Sequence, residues 1–251
     1  MIGIIPAAGA GSRIQPLGCS KELLPVGWRE AAGVKRPKAV SEYLVERMIA
    51  AGARSICMVI SAEKSDIVRY YAERDYAAEI FYAVQRQPLG LCDAIFRAAT
   101  FVAAQETVLL GLPDTIWFPE NALRRAVEQG SELRLLLFPV ANPSAFDAVL
   151  CNEQGNVSRV VVKQPNSGTH WIWGAVTASG RAFHELRLLW ETRRRRDEYL
   201  GHLLNAYIDA GGSVAASAIG EHYIDVGTVE GYHAAQDFLR SRPGEQRRRA
   251  A

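Results

Sequence analysis

Small residues and cations cluster at the start of the chain in a spacing suited to a polyphosphate. An apolar run of Ile2, Ile4 and Ile5 leads into Ala7-Ala8-Gly9-Ala10-Gly11-Ser12-Arg13, then Pro16, then Lys21-Glu22-Leu23-Leu24-Pro25. Tiny side chains after a strand let backbone N–H groups approach an anion closely, and Arg13 and Lys21 supply positive charge. Two common phosphate loops are excluded. Ile14 stands where a dinucleotide fingerprint needs its third glycine, and no Gly-Lys-Ser/Thr closes a P-loop.

Further candidates lie downstream. Asp114 closes the apolar run Leu110-Gly111-Leu112-Pro113. There a hard oxygen ligand can hold magnesium against a phosphate, or a turn aspartate can cap the next helix. Gln85-x-x-Pro88-x-Gly90, which follows a strand-like run, resembles a known family's base-reading loop, in which a glutamine amide and a glycine backbone group would meet the donor and acceptors of a pyrimidine edge. The alternative is a polar strand-to-helix turn, with Asp93 a simple cap. Lys163 follows Val160-Val161-Val162 and precedes Gln164-Pro165; it resembles the same family's lysine that grips the sugar phosphate, and otherwise reads as an exposed structural lysine. Trp171, Trp173 and Tyr223 offer an apolar platform for a sugar, or core packing.

These residues need a scaffold. Up to about residue 140, strand-like runs at Ser55 to Ile60, Glu79 to Val84, Thr107 to Leu112 and Leu133 to Val140 alternate with helical stretches at Val40 to Ala51, Ser65 to Arg74, Leu91 to Ala104 and Pro119 to Gln129. The alternation predicts an α/β fold, a Rossmann-like, mostly parallel sheet flanked by helices. Its ligands belong outside the carboxyl ends of the strands, where the glycine-rich loop sits. Short strands are then expected at Ala148 to Cys151, Val157 to Lys163 and His170 to Val176, forming a small lobe over the far side of the pocket. Helices at Gly180 to Arg193 and Asp197 to Ala210, a strand at Ser213 to Ala218 and a helix at Thr228 to Leu239 complete the reading. One domain of 1–251 is expected, with a nucleotide-binding core at 1–140, a sugar-binding lobe at 141–240 and a frayed tail at 241–251. The arginine runs Arg193 to Arg196 and Arg247 to Arg249 read as solvated ends.

With 251 residues and 49% hydrophobic content, the chain can bury a full core. Its 29 basic and 27 acidic residues balance too evenly for a surface that coats nucleic acid, so a phosphate ligand must be met locally. Cys19, Cys57, Cys92 and Cys151 include no close pair, which argues against a zinc knuckle or a disulfide framework and for a reduced, cytoplasmic setting. No leader and no membrane-spanning run is read, so neither secretion nor insertion is expected.

Taken together, the opening string resembles the signature of the sugar-phosphate nucleotidylyltransferases, Gly-x-Gly-Ser/Thr-Arg-x-x-Pro followed by Lys-x-Leu-Leu-Pro. Leu112-Pro113-Asp114 is similar to the family's Leu-Gly-Asp element. Tyr223-Ile224-Asp225-Val226-Gly227-Thr228 is similar to its Trp/Tyr-x-Asp-x-Gly-Thr element, although Asp225 alone also reads as a loop aspartate before a helix. The resemblance runs from Ile2 to about Phe238 and is greatest to glucose-1-phosphate thymidylyl- and uridylyltransferases. It implies the GT-A-like nucleotidyltransferase fold and a transferase that condenses a sugar 1-phosphate with dTTP or UTP. Arg13, Lys21 and Asp114 would be catalytic, and Asp114 with Asp225 would hold Mg2+. Ala8, Gly9, Gly11, Ser12, Arg13, Gln85, Pro88 and Gly90 would bind the nucleotide, and Asp147, Lys163, Gly174 and Tyr223 the sugar phosphate. Phe146-Asp147 stands where many thymidylyltransferases carry Tyr-Gly, so Asp147 reads as a group for sugar hydroxyls or an amino group, or as a strand cap. Val162 replaces the acidic residue that often precedes the lysine. Expected partners are the two substrates, with no nucleic acid and no membrane; a homo-oligomer is left open. A cytidylyltransferase for phosphocholine or another small phosphate is the nearest rival, and a non-catalytic sugar-nucleotide sensor is the rival of another class.

Overall fold

The first strand explains how the glycine-rich loop is seated. β1 (Ile2–Pro6) is buried along its whole length because it runs between two parallel neighbours, so its residues must be apolar on both faces. The structure, a computed structural model, describes residues 1–31 and 33–242. After β1 come the glycine-rich loop, a 3-10 turn at Lys21–Leu23 and a hairpin of β2 (Pro25–Ala31) and β3 (Val34–Ala39). Then follow α1 (Val40–Ala50), β4 (Ser55–Ile60), α2 (Ser65–Ala72), β5 (Glu79–Val84) and α3 (Leu91–Phe96). The middle of the chain forms β6 (Thr107–Gly111), β7 (Thr115–Phe118), α4 (Ala122–Glu128) and β8 (Leu133–Pro139). β9 (Asp147–Cys151), β10 (Val157–Val162), β11 (Trp171–Ser179), α5 (Gly180–Thr192), α6 (Leu200–Asp209), β12 (Ala215–Ser217), β13 (His222–Asp225) and α7 (Val229–Ser241) complete it.

One nine-stranded sheet runs β10-β9-β11-β6-β1-β4-β5, with β8 paired to β11 and β12 paired to β8. The stretch β6-β1-β4-β5 is parallel, as the alternating pattern predicts. β11 runs antiparallel to β6, β8 and β9, so the strands of the expected sugar lobe extend the same sheet. Side chains alternate across it: Ile4, Cys57 and Leu110 pack on one face and Ile5, Ile56 and Leu109 on the other. Both faces are covered.

Three elements depart from the sequence reading. The helix expected over Leu91 to Ala104 stops at Phe96 and gives way to a 3-10 turn, Ala99–Phe101, whose Phe101 ring meets Phe81 at 4.9 Å. The β2–β3 hairpin was not expected. Nor was a two-stranded ribbon of β7 and β13, four residues each, whose partners are too short and too far apart in the chain to announce each other. Residues 243–251, including the Arg247 to Arg249 run, lie outside the described residues. The other run ends α5: Arg194 and Arg195 adopt positive φ, and Arg193 pairs with Asp197 at 2.7 Å. Among the described residues no helix is long and apolar enough to cross a membrane.

Candidate active site

The β7–β13 ribbon builds the centre of the site. Its antiparallel register sets Asp225 opposite Thr115, and the Val226 amide donates to the Asp114 carbonyl at 2.8 Å, so two aspartates more than a hundred residues apart become neighbours. Beyond the ribbon, Gly227 is the reason both carboxylates fit. A Cβ there would sit 2.9 Å from Asp114 Oδ2 and 2.9 Å from Asp225 Oδ1, so these oxygens are separated by at most twice that distance. Thr228 then caps α7, its hydroxyl accepting from the Gly231 amide at 3.0 Å. The spacing of the Asp-x-Gly-Thr element follows from these three tasks: carboxylate, open notch, helix start.

Each carboxylate meets one cation of the N-terminal segment. Lys21 Nζ lies 2.5 Å from Asp114 Oδ2, and Arg13 Nη1 lies 2.9 Å from Asp225 Oδ2. The Gly227 amide holds the other Asp225 oxygen at 2.8 Å. Burial works against the Lys21 charge, but Asp114, with Glu22 and Asp225 near, outweighs it and raises the ammonium above its ordinary pKa. Gly11 permits this crossing. Its φ of +70° suits glycine, and a Cβ would come within 2.8 Å of the Lys21 stem.

A cavity of about 560 Å³ opens beside this cluster. Among its lining are Gly9, Arg13, Lys21, Asp114, Asp147, Lys163, Trp173, Tyr223 and Asp225, all singled out from sequence. Leu91, Leu112, Phe146, Trp173 and Tyr199 supply apolar walls. Asp147 faces Val162 across the β9–β10 ladder and is buried. One of its oxygens accepts from Trp173 Nε1 at 3.4 Å, and the other, Oδ1, has no hydrogen-bond partner among the described residues. Burial pushes this carboxyl above the usual range, despite Trp173 and Lys163 nearby. Lys163 sits at positive φ, which is unusual for a side-chain-bearing residue, and its Nζ lies 4.1 Å from the centre of the Tyr199 ring.

A second hollow, of about 520 Å³, takes Ala8, Gln85 and Pro88 together with Ala10 and Arg86. Gln85 Nε2 donates to the Gly90 carbonyl at 3.1 Å and to Asp93 at 2.8 Å, while Arg97 holds both Asp93 oxygens. Asp93 therefore fixes Gln85 rather than capping a helix. Ser12 is exposed, and Gly90 packs against Glu198. Of the aromatics, Trp173 and Tyr223 reach the cavity and Trp171 does not.

Gly174 lies behind the cavity wall and seats Tyr223. A Cβ there would come within 2.6 Å of the Tyr223 ring and 2.7 Å of Phe138. Gly174→Ala should lower stability by about 1–3 kcal/mol through overpacking. An unchanged midpoint in urea unfolding would show that Tyr223 yields freely.

Sequence reasoning passed over Glu22, Lys64 and Asp66, which anchor the loop from below. Ser20 donates to Asp66 through its amide and its hydroxyl, both at 2.7 Å. Burial opposes the Asp66 charge, yet those bonds outweigh it and hold the carboxyl below its usual range. The available signal was position: Lys64 and Asp66 follow the carboxyl end of β4, where ligands of such sheets gather.

Known proteins can be set beside this geometry. The family model described as nucleotidyl transferase matches residues 2–242. A glucose-1-phosphate thymidylyltransferase of Neisseria meningitidis is 28% identical over 96% of this chain and 83% of its own length. The UTP–glucose-1-phosphate uridylyltransferase AglF of Haloferax volcanii is 24% identical over 95% of this chain and 96% of its own. A UTP-bound UGPase from Acinetobacter baumannii shares the fold with a TM-score of 0.76 at 20% identity, over 96% of this chain and 94% of that one.

Proposed function

Because this chain belongs to the nucleotidyl transferase family, we propose that it condenses a sugar 1-phosphate, glucose 1-phosphate first among the candidates, with dTTP or UTP, giving a nucleotide sugar and pyrophosphate. The observation that carries this reading is one cavity in which two adjacent carboxylates, three cations and an apolar wall with a buried acid converge. A phosphate oxygen is already ionised near neutral pH, so attack on the α-phosphorus needs no general base. The obstacle is bringing two polyanions together in line.

The chain's residues divide that task. Arg13 binds the leaving pyrophosphate, Lys21 the crowded α-phosphate, and Lys163 the phosphate of the sugar. The oxygen pair of Asp114 and Asp225, with the notch left open by Gly227, fits Mg2+, an ion commonly held by one or two carboxylates with substrate phosphates completing its shell. Bound there, the ion would neutralise charge on both phosphate groups. Gln85, whose two amide protons are held by the Gly90 carbonyl and Asp93, has only its carbonyl oxygen left to offer a base from the second hollow. Phe146, Trp173 and Tyr223 wall the sugar, and the Asp147 carboxyl in the same wall meets its hydroxyls. A cage for a quaternary ammonium finds less support, because Lys163 already lies over Tyr199.

A panel of triphosphates against acceptor phosphates, read by pyrophosphate release, tests the reading. Glucose 1-phosphate with dTTP or UTP should turn over fastest; fastest release with CTP and phosphocholine would overturn the assignment. In the same assay Asp147→Ala should raise the KM of the sugar phosphate about tenfold or more and leave that of the triphosphate unchanged. Equal shifts in both would remove Asp147 from the sugar.

A further inference from the structure

Lys64 opens α2 directly beneath the glycine-rich loop and is only 8% exposed. Its Nζ donates to the Ala7 and Gly9 carbonyls, each at 2.7 Å, and to both Glu22 oxygens at 2.8 Å. An ammonium has three protons, and two carbonyls plus one carboxylate use them all. No donor is left over for a ligand, so Lys64 acts through the loop.

The consequence follows from peptide geometry. The 7–8 and 9–10 peptide bonds are trans, and in a trans peptide the N–H points opposite to the C=O of the same plane. Carbonyls turned down onto Lys64 therefore turn the amides of Ala8 and Ala10 up, away from the buried ammonium. Neither amide has an acceptor among the described residues. Both residues line the second hollow, to whose wall Lys64 and Asp66 also contribute. Without the cation, the same two carbonyls would be free to present their negative ends to an incoming polyanion. Glu22 keeps the arrangement neutral underneath, and Asp66, in the first turn of α2, pins Ser20 at the far end of the loop.

We propose that Lys64 is a positioning residue that sets the polarity of the phosphate loop, holding the Ala8 and Ala10 amides toward the triphosphate. This rests on the nucleotidyl-transfer reading above. Lys64→Met strands the Glu22 charge in the interior and risks the fold, so the double variant Lys64→Met/Glu22→Gln, which buries no charge, is the decisive protein. Titration calorimetry on the full chain would use UTP and, as a probe without a base, inorganic tripolyphosphate. The double variant should bind both at least about tenfold more weakly, since aimed donors to a charged group are lost. The KM of the triphosphate should rise accordingly, while that of the sugar 1-phosphate stays the same; a merely structural role would move both. A double variant that melts like the parent and binds tripolyphosphate as tightly would overturn the role of Lys64. A parent protein that binds neither probe would overturn the nucleotidyl-transfer reading itself, and the role of Lys64 with it.

Discussion

Asp114→Asn and Asp225→Asn should each cost at least about two orders of magnitude in magnesium-dependent turnover, because an amide keeps the shape but loses the charge that a hard cation requires. The two variants should differ in stability. Asp114 faces Lys21, and both side chains are largely buried, so its loss leaves an ammonium without its nearest counter-charge. Asp225 faces Arg13, whose side chain is 54% exposed and readily solvated. Asp114→Asn should therefore lower the melting temperature more than Asp225→Asn. The gap should persist through neutral pH: a lysine whose pKa is raised on folding contributes fully below its ordinary value and loses that contribution only as alkali approaches the raised one. Magnesium titrations of activity decide the assignment. A variant with the parent's magnesium dependence and turnover would place its aspartate outside the metal site.

Arg13→Ala is the second large effect, a fall in kcat of about two to three orders of magnitude, as expected for a preorganised donor aimed at developing charge. The exposure that makes Arg13 a poor contributor to stability makes it a clean probe. Its pair with Asp225 lies in water's reach, so the melting temperature should move little while the rate collapses. Added guanidinium should restore part of the rate if the missing charge is the cause. Near-parental turnover would remove Arg13 from the reaction and leave Lys21 as the cation of the triphosphate.

The two predictions draw on different levels of the molecule. Arg13 was legible because everything that defines it is local: an apolar strand, five glycine or alanine residues and a serine, a cation, then proline. Such a string marks an anion-binding turn by residue type alone, since only small residues let the backbone approach an anion closely and Gly11 takes a positive φ. The parallel strands were legible for the same reason. A strand covered on both faces must be apolar throughout, and Ile2, Ile4 and Ile5 declare this without reference to a partner.

Asp114 and Asp225 were legible as types and not as a pair. Each, read alone, was equally a turn or cap residue, and only the similarity of several motifs in order joined them. In the fold they meet because β7 and β13, four residues apiece, find each other across the chain, and no local periodicity records a pairing of that separation. The same limit hid Lys64. Its role lies in which carbonyls it faces, and those belong to a different element. The sequence by itself determined the alternating strands and helices of the parallel core, the run of small residues that follows β1 and the family resemblance, because these depend on neighbours along the chain. The tertiary structure alone decided which charges face one another, which oxygen of Asp147 is left free and what holds the loop from beneath, because these depend on distances in space that residue spacing does not encode.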